Sequence, residues 1–156
     1  DHAAANGSSI AVLAEWAGRS CLLTGDAHAD VLLAGIDALL TPGAELDVDV
    51  FKLAHHGSKA NVTNGLMERV TARHYVFSSS GEGKSQHPND EAVARTIVHS
   101  PPGSTLAFNY RSKRTEPWDD ALLKEEHGYS TLYPNAEHGG LTIDLMALPA
   151  PAPGTG

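Results

Sequence analysis

Two apolar runs in this chain end abruptly in side chains that packing alone does not explain. Leu22-Leu23-Thr24 runs into Gly25-Asp26, and Val50-Phe51-Lys52-Leu53-Ala54 runs into His55-His56-Gly57-Ser58. Short continuous apolar runs of this kind are the pattern of strands buried within a sheet. Between them, Val31, Leu32, Leu33, Ile36, Leu39 and Leu40 recur at helical spacing, and Thr41-Pro42-Gly43 stops the helix expected over 29–40. His55 follows Asp26 by 29 residues, enough for one helix and one strand. A right-handed β-α-β crossover would bring both strand ends to one edge. That unit constrains the chain to the α/β class, in which rigid strand ends carry the chemistry.

The remaining elements extend the same plan. Ser9–Trp16 reads as a strand, turned by Ala17-Gly18-Arg19 into Cys21–Thr24 as a hairpin. Asp49–Ala54 is the third strand. A helix capped by Asn61 or Thr63 is expected to run to about Ala72, with Leu66, Met67 and Val70 inward. His74–Ser78 follows as a fourth strand with His74 capping it. A polar loop over 79–88 leads into a helix over 91–98 that Asn89 caps and that ends near His99. Thr105–Tyr110 is the fifth strand. Residues 111–140 show no clear periodicity beyond a short helix from Pro117 to about Glu126, and Leu141–Leu145 reads as a last strand. Ala147–Gly156 is a Pro/Ala/Gly-rich tail of the kind that stays disordered.

Composition narrows the function. The 156 residues, 41% hydrophobic, suffice for one globular domain or a large piece of one. A net charge of -8 argues against a general nucleic-acid-binding surface, although bound divalent cations can reverse the sign locally. The single cysteine, Cys21, excludes an intramolecular disulfide and an all-thiolate zinc site. No apolar run approaches the roughly 20 residues of a membrane span, and no signal pattern is visible. No membrane partner is therefore expected, and a cytoplasmic location is favoured.

Asp26 alone reads either as a helix N-cap or as a functional carboxylate. The histidine pair shifts the balance, because imidazole is a preferred zinc ligand and a carboxylate can bridge two divalent ions. Ser58 beside His56 lacks the Gly-x-Ser-x-Gly elbow of a serine nucleophile. Arg111, Lys113 and Arg114 read as a solvated basic loop or an anion contact. Trp118, Tyr129 and Tyr133 either flank a groove or pack under a loop, with packing the safer reading.

The ordered segments Asn6-Gly7-Ser8-Ser9-Ile10, Leu22–Ala27, Lys52–Ser58, Gln86-His87-Pro88 and Gly140–Ile143 closely resemble the C-terminal half of metallo-β-lactamase-fold hydrolases. The nearest branch is the ComEC-like one, which contains the hydrolase domain of the DNA-uptake protein. The resemblance implies an α/β architecture, half of an αββα sandwich with a mixed sheet and helices on one face. It assigns residues 1–146 to that half-domain, with 111–140 as an irregular insertion. It implies two divalent metal ions, zinc or manganese, with Asp26 as bridging carboxylate and His55 as a metal ligand. His56 would be a proton donor and His87 a phosphate contact, while Asn6 and Ser58 would lie toward substrate. Which of His55 and His56 faces the metal stays open. The family's principal motif, His-x-His-x-Asp-His, is absent, and Asp1-His2 is at most its tail. The expectation is therefore a metal-dependent phosphodiesterase or nuclease, or the C-terminal part of one, acting on a phosphoester substrate. The alternative is a non-catalytic module that pairs with an N-terminal half or with its own copy.

Overall fold

A computed structural model describes residues 4–82, 84–135 and 140–148. After a single helical turn, α1 (Ala4–Gly7), six strands form one sheet in sequential order. They are β1 (Val12–Trp16), β2 (Arg19–Leu23), β3 (Leu46–Lys52), β4 (Val70–Phe77), β5 (Thr105–Phe108) and β6 (Ser130–Leu132). The β1–β2 hairpin is antiparallel and every later pair is parallel. The connecting helices are α2 (Ala29–Leu39), α3 (Asn64–Met67), α4 (Asp90–His99) and α5 (Ala121–His127). Because each strand is laid down beside the last, crossovers of one hand place their helices on one face.

Packing shows that face. Leu32 and Ile36 of α2, Leu66 and Met67 of α3, and Val93 and Ile97 of α4 share one core with Leu22, Phe51, Tyr75, Phe77 and Leu106. Alternation along the strands turns Val12, Ala14, Trp16, Cys21, Leu23, Val50, Lys52 and Val76 to the other side. There Trp16 is 82% exposed, and Val12 and Leu23 are also open. The segment 140–148 reaches this side where Arg19 Nη2 donates to the Leu148 carbonyl. No described helix is long and apolar enough to cross a membrane.

Several elements differ from the sequence expectation. The helix over 61–72 is only the turn Asn64–Met67, capped by Thr63, whose hydroxyl accepts from Leu66 N. Val70 and Thr71 already belong to β4, paired with Leu46 and Asp47. The β-branched side chains fit the sheet better than a helix, and β3 starts correspondingly early. His74 thus lies within β4 and does not cap it. Asn89 holds the N-cap position of α4 without a side-chain bond to the helix, and its Oδ1 accepts from Lys59 N instead. Within 111–140 there is order: a 3-10 turn at Glu116–Asp119, then α5 and β6. Tyr133 stacks on Phe108 with centroids 5.4 Å apart, and Tyr129 Oη donates to the Trp118 carbonyl. These aromatics pack under their loop. Residues 141–144 form no strand; a 3-10 turn, Leu145–Ala147, follows them. Asp1-His2, His138 and the tail from 149 lie outside the described residues.

Candidate functional site

The C-terminal ends of β2 and β3 are tied together before either loop departs. Thr24 Oγ1 donates to the Lys52 carbonyl at 2.6 Å, and His55 N donates to the Gly25 carbonyl at 2.9 Å. Asp26 and the histidine pair are thereby brought to the same sheet edge. Asp26 is not the N-cap of α2, a position held by His28. Its backbone N donates to Ser9 Oγ at 3.3 Å.

The chain beyond β3 makes a 3-10 turn at Ala54–His56 with an unusual backbone. His55, His56 and Gly57 have φ of 46°, 58° and 87° in succession. For L residues this left-handed region costs about 1–2 kcal/mol each. Such conformations persist only where the surroundings fix them, and they cluster at functional sites. The bonds that fix them are visible: Gly57 N donates to the Ala54 carbonyl, Ser58 N to the His55 carbonyl, and Asn89 N to the Gly57 carbonyl.

His56 Nδ1 lies 2.7 Å from the Ser78 carbonyl, which can only accept, so Nδ1 carries a proton. Nε2 is then turned toward Asp26, with Oδ1 at 3.8 Å. That gap exceeds hydrogen-bond length. The His55 ring meets the His87 ring edge-on at a centroid distance of 5.1 Å and the His56 ring at 6.2 Å. Burial pushes the His87 imidazolium below its ordinary value, and His55 and His56 push the same way. The neutral form of His87 is thus favoured, and its buried Nδ1 has no hydrogen-bond partner among the described residues. The His87 carbonyl accepts from Ser79 Oγ at 2.7 Å, which pins the loop. Asn6 Nδ2 stands 3.5 Å from His55 Nδ1.

Asp26, His55, His56, His87 and Asn6 therefore meet in one region. Ser58 has a different setting: it is buried, and its Oγ accepts from Ala60 N within the turn. Ser78 turns a carbonyl acceptor to the site. Two residues escaped the sequence reading. Lys52 sits at the end of β3, where burial pushes its ammonium below the ordinary value and nearby Asp26 opposes that shift. A lysine inside an apolar run was the available signal. Asn61, taken as a helix cap, is fully buried and bonds across the chain to His55, Asp26 and Ala27.

Among the described residues, no three His, Cys, Asp or Glu side chains form a group that could hold a metal ion. Asp26, His55 and His56 are the right donor types for zinc, but they make up part of a ligand set and do not by themselves fit two ions.

No protein-family model and no solved structure matches the chain. The chain is 24% identical over 119 residues to ComE operon protein 3 of Bacillus subtilis (strain 168). The alignment covers 72% of this chain and 15% of that protein. The chain is thus distantly similar to a ComE-related protein and spans only a small part of its length.

Proposed function

We propose that this chain forms one side of a metal-dependent phosphoester hydrolase of the metallo-β-lactamase type, in the ComEC-like branch. The other side would come from an N-terminal half of the same domain. The observation that carries the reading is the placement of Asp26 and the His55–His56 pair at the ends of adjacent parallel strands, on a backbone held in the left-handed region. The similarity to ComE operon protein 3 supports it, and the resemblance implies a role connected with DNA uptake. In the completed site Asp26 and His55 would be ligands to two divalent ions, zinc or manganese. Such ions supply an activated water when bound. His56, with Nδ1 on the Ser78 carbonyl, would present Nε2 toward the cleft as proton donor or acceptor. His87, whose neutral form burial favours, would contact a phosphate oxygen as a hydrogen-bond donor. The net charge of -8 favours small or locally bound phosphoesters over long duplexes held by surface charge.

A second reading has its own observation. Trp16 at 82% exposure, with Val12 and Leu23, gives the sheet face opposite the helices an open apolar area. A non-catalytic module would use that face to pair with an N-terminal half or a second copy.

The test is metal content and phosphodiesterase activity of the chain, alone and joined to its upstream region. About two ions per joined protein, with activity abolished by Asp26→Ala, is the expected result. A joined protein that assembles stably yet retains less than half an equivalent of metal and no activity would leave the module reading in its place.

A further inference from the structure

Asn61 is a fully buried side chain that hydrogen-bonds to both loops of the candidate site. Its Nδ2 lies 3.3 Å from the Asp26 carbonyl and 3.0 Å from the Ala27 carbonyl. Backbone carbonyls only accept, so the nitrogen of this amide must face them. The orientation that is normally ambiguous for asparagine is thus decided by its partners. Oδ1 is left facing His55 Nδ1 at 3.3 Å, and an amide oxygen can only accept.

We infer that Asn61 is a positioning residue that fixes the proton of His55 on Nδ1, so that neutral His55 carries its lone pair on Nε2. The inference builds on the proposed hydrolase site but does not require hydrolysis. His56 is held in the same form by the Ser78 carbonyl. The two adjacent imidazoles therefore share one tautomer, imposed by two unrelated acceptors, and each has Nε2 as its basic nitrogen. A metal-ligating histidine commonly has its other ring nitrogen bonded in this way.

Asn6 offers the opposite assignment, since its Nδ2 is 3.5 Å from the same nitrogen and would donate to an unprotonated Nδ1. Two differences favour Asn61. Its contact is shorter, and it has no access to water that could replace a lost bond, whereas Asn6 is partly exposed.

The experiment is long-range nitrogen–proton correlation NMR of the whole chain with 15N-labelled histidine, free of added metal. The wild-type spectrum should show His55 and His56 protonated at Nδ1, and His55 protonated at Nε2 would overturn the inference without any variant. In Asn61→Ala, His55 should lose the Nδ1–H pattern while His56 keeps it, which also reports that the site loops remain folded. Retention of Nδ1–H in that variant would show that Asn61 does not fix it. Asn6→Ala should leave both patterns unchanged, and a change at His55 there would transfer the role to Asn6. A hydrolase reading that fails on metal content leaves these outcomes unaltered, so the two claims can fail separately.

Discussion

Replacing Gly57 with alanine should disrupt the site through its backbone, and the effect can be divided into two parts. Gly57 has φ of 87°, and its N–H and carbonyl are both bonded, to Ala54 and Asn89, so the peptide cannot turn freely. A left-handed alanine costs about 1–2 kcal/mol. The added Cβ would also lie 2.7 Å from Phe77 Cδ1 and 2.9 Å from Pro88 Cβ. Phe77 cannot easily retreat, since it is stacked on Phe108 with centroids 5.0 Å apart. Overpacking of this kind costs about 1–3 kcal/mol, giving about 2–5 kcal/mol in all. For a chain of this size that lowers Tm by about 4–20 °C. Gly43 provides the control, because its φ is 85° but a Cβ there meets nothing within 4 Å. Gly43→Ala should show the backbone part alone, about 1–2 kcal/mol. Urea unfolding of both variants, with unchanged m, measures the difference. Equal shifts in the midpoint would refute the packing argument, and two wild-type midpoints would refute the backbone argument as well.

Other perturbations probe the frame around the site. Phe108 is fully buried between Phe77 and Tyr133, so Phe108→Ala should cost about 3–5 kcal/mol in denaturant unfolding. Asp49 and Arg19 form a buried ion pair at 3.1 Å, and Asp49 also accepts from Ser20 N. Asp49→Ala should cost about 3–5 kcal/mol by leaving the guanidinium without its carboxylate, whereas Arg19→Met with Asp49→Leu should recover much of that loss. Asp119 accepts from Lys124, Thr131 and Arg111, which hold its carboxyl well below the usual carboxylate range. Its folded value is depressed, so the stabilisation is complete above the unfolded value near 4 and is lost as pH falls through the folded one. The stability gap between wild type and Asp119→Asn should therefore be constant from about pH 6 to 8 and close progressively below about pH 4. A gap that persists under strong acid would place the effect in packing and not in charge.

The strand ends were legible in the sequence because burial and chemistry leave different marks. Leu22-Leu23-Thr24 and Val50-Phe51 are apolar for the sheet, while Asp26, His55 and His56 are not, so the change of residue type marks the edge itself. Val70 to Phe77 was harder to read. Its core residues are Val70 and Ala72, then Tyr75 and Phe77, so the inward set changes parity within the strand, and β3 does the same between Val48 and Phe51. No simple alternation survives such a change, and a helix could be read across the start of β4. β6 failed for a different reason: Ser130-Thr131-Leu132 is too short and polar to stand out, and its stability comes from pairing with β5.

Asn61 marks the deeper limit. Three residues ahead of Asn64, an asparagine beside a threonine reads naturally as a cap, and Thr63 indeed does the capping. Besides His55, six residues back, the partners of Asn61 lie 34 and 35 residues earlier in the chain, brought near only by the β2–α2–β3 crossover. Hydrogen bonds are short and directional, so periodicity, which reports which face is wet, carries no information about them. A donor such as His55 can be recognised from its type and its place at a strand end. Which of its nitrogens is basic depends on a neighbour that only the folded chain supplies, and here that neighbour holds the Asp26 loop with the same amide. Asp26 and His55 are thus positioned by one side chain, and an error in placing either would disturb both.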